Sequence, residues 1–293
     1  MRTGILLLDK PLGLSSNAAL QRVRRLLGAA KAGHVGSLDP LATGMLPICL
    51  EEATKLAGDI LAGRKCYRFS VGLGVRTATG DAEGAVVERL PVPHLTAVEI
   101  SAVLDRFVGQ QTQIPPMYSA LKQGGQPLYR LARAGQEVVR AARAIDIASI
   151  ALVGFDEATL ALEVICSKGT YVRTLAEDIA RALGTCGYVT RLHRVYVEPF
   201  VGAPMLSLEA IAAARAAGDW PEVLPAEFAV RHLPAVYLDA AEAGCVRHGQ
   251  AIARSAAAPL CGRVRLFDDA VRFMGIGEVD AEGYVRPRRL FVL

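Results

Sequence analysis

Residues Gly33 to Pro47 read GHVGSLDPLATGMLP, with one acid, Asp39, near their centre. No other stretch of the chain packs Gly, His, Asp, Pro and Thr so densely. Glycine opens backbone conformations that other residues avoid. Pro40 fixes its own φ and drives the residue before it, Asp39, toward extended geometry. The string therefore predicts a rigid, non-helical loop that presents a carboxylate, and binding and catalytic groups concentrate on such loops. An isolated Asp-Pro pair would read as a turn cap.

Working outward, Ile5 to Leu8 reads as a short buried strand closed by Asp9-Lys10-Pro11, and Ser15, Ser16 and Asn17 offer N-caps for a helix through Leu27, with Gly28 as its stop. Beyond the loop, Glu52 to Leu61 reads as a helix. Tyr67, Phe69, Val71, Leu73 and Val75 alternate with small or charged residues, the pattern of a half-buried strand. Ala85 to Glu88 reads as its return. Thr96 and Glu99 make a capping box for a helix ending near Gly109. Gln126 to Ala134 reads as helical, Ile145 to Gly154 and Thr159 to Cys166 as a hairpin, Tyr171 to Leu183 as a helix stopped by Gly184, and Tyr188 to Val197 as a strand. The Ala- and Pro-rich stretch from Ala210 to Pro234 reads as helix and connector. Short β-prone runs follow at Val264–Phe267, Val271–Gly277, Tyr284–Val285 and Leu290–Leu293.

Composition narrows the class. The chain has 293 residues, 52% hydrophobic and 21% charged, enough for a sizeable core and against wholesale disorder. Net charge is only +4, but basic residues cluster: Arg22, Arg24, Arg25 and Lys31; Arg130, Arg133, Arg140 and Arg143; Arg286, Arg288 and Arg289. Separated basic patches suit a long polyanion better than a small ligand; the alternative is ordinary solvated faces. Six cysteines form no Cys-x-x-Cys pair, and no His stands at zinc-ligand spacing from them. Most lie in apolar surroundings and read as buried free thiols, which favours a reducing cytosol. The apolar run in MRTGILLLDKP is too short for a signal peptide or membrane span, so the expectation is a soluble cytoplasmic protein.

The Asp39 string resembles the motif GHxGTLDPxATGxLP of the TruB family of tRNA pseudouridine synthases, with Ser37 where Thr is common. Further blocks resemble the family in the same order: LLLDKPLGLSSN from Leu6, Lys65-Cys66-Tyr67, GVRTATGDAEG from Gly74, PPMYSALK from Pro115 and CSKGTYVRTLAEDI from Cys166. VRFMGIGEVDAEGYVRPRRL, from Val271 to Leu290, is similar to the family's RNA-binding PUA module. The resemblance implies an α+β pseudouridine synthase fold, a mixed and largely antiparallel sheet with flanking helices, over 1–231, and a small β-rich PUA-like module over 232–293.

It also implies an activity. Uridine 55 in the T-arm of tRNA becomes pseudouridine: the C1′–N1 bond breaks, the base rotates, and C1′ is rejoined to C5. No metal, organic cofactor, guide RNA, protein partner or membrane is implied, and the protein is expected to act as a monomer. Asp39 matches the family's catalytic Asp, as a nucleophile or as a base toward a ribose proton. Arg173 is expected to pair with it and keep it ionised. Tyr67 matches the residue that stacks on the flipped base, and Tyr171 and Leu192 match others lining the uridine pocket. His34 matches the residue that holds the flipped-out nucleotide. Lys10, Lys65 and Lys168 are candidate phosphate contacts. His193 stands where the family is commonly more basic. Taken alone, Leu192 and Tyr67 would read as core, Arg173 as a surface helix residue and His34 as structural.

Three other readings compete: an RNA-binding or RNA-folding protein whose chemistry is incidental, a guide-RNA-dependent relative, and a hydrolase. The Asp39, Tyr67 and Arg173 set favours the enzyme over the first. The start of the chain almost at its first motif speaks against the second. The lack of a Ser-His-Asp order or Gly-x-Ser-x-Gly elbow speaks against the third.

Overall fold

The computed structural model describes residues 2–253 and 261–292. Its centre is an eight-stranded sheet of β1 (Gly4–Lys10), β2 (Ala32–His34), β3 (Ala42–Leu50), β4 (Lys65–Leu73), β5 (Gly109–Gln113), β6 (Arg143–Phe155), β7 (Thr159–Cys166) and β8 (Gly187–Val197). Their order is β1–β3–β8–β4–β7–β6–β5, and β2 also pairs with β3. All pairs are antiparallel except β3 with β8, joined over Leu192–Ala42, His193–Thr43 and Arg194–Gly44. The expected α+β fold with a mixed, largely antiparallel sheet is what forms.

The apolar periodicities explain the layers. In β1, Leu6 and Leu8 join Leu46, Ile48 and Leu50 of β3 beneath helix α1 (Ser16–Leu27), whose Ala19, Leu20, Val23 and Leu27 face them. Ile5 and Leu7 point the other way, into a cluster with Phe200, Val230, Phe267 and Phe273. The unbroken run ILLL is thus buried on both faces. Tyr67, Phe69, Val71 and Leu73 of β4 pack with Ile100 and Leu104 of helix α2 (Ala97–Asp105) and Leu175, Ala176 and Ile179 of helix α3 (Val172–Ala182). Five strands form the C-terminal sheet, in the order Ala235–Tyr237, Gly262–Phe267, Phe273–Val279, Tyr284–Leu290, Ile252–Ala253. It is tied to the main body through Phe267 and Phe273, by Lys55 on the Leu290 carbonyl (2.7 Å), and by an Arg263–Asp59 ion pair.

Several boundaries differ from the sequence reading. β4 ends at Leu73 because Gly74 turns at φ +81°, so Val75 belongs to a small hairpin, Val75–Thr77 with Val86–Arg89. The expected Glu52–Leu61 helix starts as a 3-10 turn, Glu51–Leu56, before Ala57–Ala62 becomes α-helical. α2 stops at Asp105, and Gly109 opens β5, whose polar GQQTQ carries no apolar alternation because it is an edge strand. Gln126 and Pro127 pair with Lys122 and Gln123, leaving a helix only over Leu128–Arg133. Val271 sits at φ +59°, so that strand begins at Phe273. Leu290 ends its strand, and Leu293 lies outside the described residues. Helix Ala240–Arg247, capped by Asp239 and Glu242, was not expected.

Gly44 is where the parallel β3–β8 contact demands glycine. Its φ is +96°, and a Cβ there would sit 2.3 Å from the Arg194 carbonyl oxygen. Gly13 has a similar φ of +82° but open space around it. Gly44→Ala is therefore expected to destabilise the fold by about 1–3 kcal/mol more than Gly13→Ala, the usual cost of overpacking. Equal urea midpoints for the two variants would contradict this account of the contact.

Candidate active site

The loop between β2 and β3 carries Asp39 and is laced to its surroundings from several sides. Ser16, buried at the start of α1, accepts from the Leu38 amide (2.7 Å) and donates to the Leu38 carbonyl (2.9 Å). The Gly13 amide donates to the Pro40 carbonyl (2.8 Å), and the Val35 amide to that of Pro47 (2.9 Å). Arg194 Nε donates to the Met45 carbonyl and its Nη2 to that of Gly36, both at 2.7 Å. The SSN segment, read as a helix cap, thus has two uses: Ser15 caps α1 and Ser16 holds the loop.

Arg173, on the first turn of α3, reaches the loop. Its side chain is 6% exposed, and its Nη2 lies 3.0 Å from Asp39 Oδ2. The same guanidinium faces Asp81, 4% exposed, with Nη1 to Oδ2 at 3.5 Å. It also donates to the carbonyls of Thr79 (2.8 Å) and Tyr118 (2.7 Å). Asp81 is itself fixed: its carboxylate accepts from the Thr79 hydroxyl and the Glu83 amide. One cation is therefore held between two acids, and only Asp39, whose side chain is 42% exposed, faces open space. Burial pushes the Asp39 carboxyl above its ordinary value; Arg173 and Lys10 oppose that shift, and the Asp81 charge adds to it. Asp81 lies within the block quoted from Gly74, where its composition reads only as a turn; nothing in the sequence marks it as buried.

Asp39 opens into a cavity of about 420 Å³ shared by Tyr67, Tyr171, Arg173, Leu192, Arg194, Lys65 and Lys168. This volume falls within the ordinary range for small-ligand sites, about 300–1,000 Å³. A larger hollow of about 550 Å³ shares Leu192 but has no carboxylate in its lining. Tyr67, expected to stack on a base, is largely buried yet on the cavity wall, and burial raises its phenol. Tyr171 is the N-cap residue of α3; its amide donates to Gln113 Oε1 (2.8 Å) and its carbonyl accepts from Gln113 Nε2 (3.1 Å). Gln113, on the unexpected edge strand β5, thus fixes a cavity residue.

Two of the three lysines proposed for phosphates are not surface cations. Lys10 is fully buried and donates to the Pro11 (2.9 Å) and Leu14 (2.6 Å) carbonyls, shaping the turn before α1. Burial lowers it to about 8, against the pull of Asp39 and Glu83. Lys65, 4% exposed, donates to the Leu61 and Gly63 carbonyls and is likewise lowered by burial to about 8. Lys168 is exposed at the cavity mouth. His34 ends β2 and is absent from the cavity lining; its Nδ1 is buried without a hydrogen-bond partner among the described residues, and burial lowers its imidazole. The His193 Nδ1 is engaged by the Thr43 hydroxyl at 2.9 Å. Of the C-terminal basic group, Arg286 pairs with Asp280 and Arg288 with Glu278, which offsets part of its charge.

Arg173→Met would leave Asp81 buried without its counter-charge, a change that costs about 3–5 kcal/mol when one partner of a buried pair is removed. Asp39→Asn, at an open position, is expected to change stability by less than about 1 kcal/mol. Urea unfolding of the two variants checks the contrast; equal losses would mean that Asp81 does not depend on Arg173.

Comparison with known proteins bears on this geometry. Residues 24–172 match the model of the TruB family pseudouridylate synthase N-terminal domain. Residues 173–231 match the tRNA pseudouridylate synthase B C-terminal domain, and 234–291 the pseudouridine synthase II TruB C-terminal region. The chain is 48% identical over 287 residues to tRNA pseudouridine synthase B of Aromatoleum aromaticum, covering 98% of this chain and 92% of that one. It is 49% identical over 292 residues to the protein of that name from Pseudomonas fluorescens, covering 98% and 95%. Among solved structures, the fold is similar to a chain of an H/ACA RNP bound to a substrate RNA containing 2′-deoxyuridine, with TM-score 0.73 and 21% identity over 99% of this chain and 86% of that one. It is also similar to a chain of a Cbf5-Nop10-Gar1 complex, with TM-score 0.73 and 24% identity over 99% and 84%. With family models matching from residue 24 to 291 and a relative 48% identical over 98% of its length, the chain belongs to the TruB family of pseudouridylate synthases.

Proposed function

We propose that the chain isomerises uridine 55 in the T-arm of tRNA to pseudouridine, using Asp39 on a flipped-out nucleotide and no guide RNA. The observation that carries this reading is the Asp39–Arg173 pair at 3.0 Å, opening into a cavity walled by Tyr67, Tyr171 and Leu192. The close relatives that bear the name tRNA pseudouridine synthase B support tRNA as the substrate class.

The chemistry needs a carboxylate beside C1′. Whether it attacks C1′ or removes a ribose proton, the ionised form of Asp39 does the work. Arg173 keeps that form available inside a partly desolvated site and aims it, while Asp81 and the Thr79 and Tyr118 carbonyls keep Arg173 from turning away. A uridine in a folded T-loop is stacked, so it must leave its stack to reach Asp39; Tyr67 offers a ring face to receive it, with Tyr171 and Leu192 as apolar walls. After C1′–N1 cleavage the base turns within this cavity, C5 bonds to C1′, and the C5 proton is released. His34 fills the place the base vacates. Lys168 and the exposed Arg130, Arg133 and Arg143 supply phosphate contacts that position the RNA. Residues 1–231 form the catalytic unit, and 232–293 act as the PUA-like RNA-binding module. The protein works as a monomer in the cytoplasm without a protein partner.

Tritium release from 5-tritiated uridine in a T-arm hairpin, with neither guide RNA nor other protein present, tests the activity. The wild-type chain is expected to release tritium, and Asp39→Asn to bind the hairpin with unchanged affinity but release none. Full release by Asp39→Asn would remove the mechanism; RNA binding without turnover by the wild type would favour an RNA-folding role. The pH profile carries a second expectation. Only ionised Asp39 is competent, and burial raises its carboxyl; activity should therefore fall, on acidification, at a pH above the ordinary Asp range. An acid limb at or below that range would contradict it.

A further inference from the structure

Arg194, on β8, is the largest fully buried side chain among the described residues, at 1% exposure. Its hydrogen bonds go to uncharged oxygens, the Met45 and Gly36 carbonyls, and beside it on β4 stands its cross-strand neighbour Tyr67, whose hydroxyl is the third uncharged oxygen near the guanidinium. Burying a guanidinium without a carboxylate beside it is costly, and for stability alone an apolar side chain of similar volume would serve as well or better. The three oxygens are not arbitrary. Gly36 and Met45 flank Asp39 in the sequence, and Tyr67 lines the same cavity as Gly36 and Asp39.

We propose that Arg194 is a positioning residue for the isomerisation, its planar fork clasping both flanks of the Asp39 loop and the Tyr67 hydroxyl so that carboxylate and ring meet one uridine. This rests on the assignment of the cavity as the uridine site. The fit is close. A Cβ on Gly36 would lie 3.2 Å from Arg194 Nη1, and one on Gly44 would strike the Arg194 backbone, so glycines stand at both points where the loop passes the arginine. The parallel β3–β8 pairing ends at Arg194–Gly44, next to Met45, and from there the guanidinium reaches the Met45 and Gly36 carbonyls. Lysine would keep the charge but cannot donate to several separated oxygens in one plane.

Arg194→Lys and Arg194→Met in the full chain test this, with single-turnover rates at saturating T-arm hairpin, hairpin affinity and thermal melting measured together. Both variants are expected to bind the hairpin as the wild type does and to lose about 100-fold in rate, the scale set by misplacing reacting groups by about 1 Å. Lysine is expected to preserve melting better than methionine without restoring the rate. The proposal is overturned if a folded variant turns over at the wild-type rate, if lysine restores the rate in full, or if the loss lies wholly in RNA affinity. Should Arg194→Met not fold, Arg194→Lys and Gly36→Ala carry the test, the latter pressing a methyl group onto the guanidinium; wild-type rates in both would overturn it equally. A wild-type chain inactive on the hairpin would remove the uridine-site assignment and this proposal with it, whereas an active wild type with equally active variants removes the positioning role alone.

Discussion

The guanidinium of Arg173 is the constraint on which the site depends. It is almost wholly buried, shared between Asp39 and Asp81, and fastened to two backbone carbonyls. A buried cation must find anions or carbonyl oxygens, and here that need dictates the arrangement of remote segments. α3 delivers the arginine, the hairpin region after β4 delivers Asp81 and the Thr79 carbonyl, the segment before the Leu128–Arg133 helix delivers the Tyr118 carbonyl, and the β2–β3 loop delivers Asp39. Asp81 is enclosed and Asp39 open, so of the two acids only Asp39 is accessible from the cavity.

The surrounding basic residues divide by burial rather than by type. Lys10, Lys65 and Arg194 spend their donors on backbone carbonyls and so shape loops. Lys168, Arg130, Arg133 and Arg143 lie exposed. A net charge of +4 therefore understates the contrast between an interior wired by cations and a surface where part of the basic charge is already paired. The high charge density near Asp39 also explains why its carboxyl rises only against opposition: burial and Asp81 push one way, Arg173 and Lys10 the other.

Much of the fold was legible because it follows local rules. Alternation placed β4, the hairpin pattern placed β6 and β7, and the Ser15–Asn17 and Thr96 cap signals located the starts of α1 and α2. The Asp39 string gave the carboxylate, and Tyr67, Tyr171, Leu192 and Arg173 do converge on its cavity. What stayed hidden has no local mark. β5 is polar because it lies at an edge, Asp81 and Ser16 look like turn and cap residues, and Lys10 and Lys65 look like surface cations. Each is assigned by which neighbour covers it, and those neighbours come from distant segments.

The sequence by itself determined the chemistry available: one acid on a Gly- and Pro-framed loop, the aromatic and arginine residues that accompany it, and the family to which that pattern belongs. Tertiary structure alone decided which charges face each other. The parallel contact of β8 with β3 brings Arg194 to the loop, and the packing of α3 on β4 brings Arg173 within 3.0 Å of Asp39. Local propensity sets how each segment folds, but Coulomb and desolvation energies depend on distances between segments, and those exist only once the core has closed.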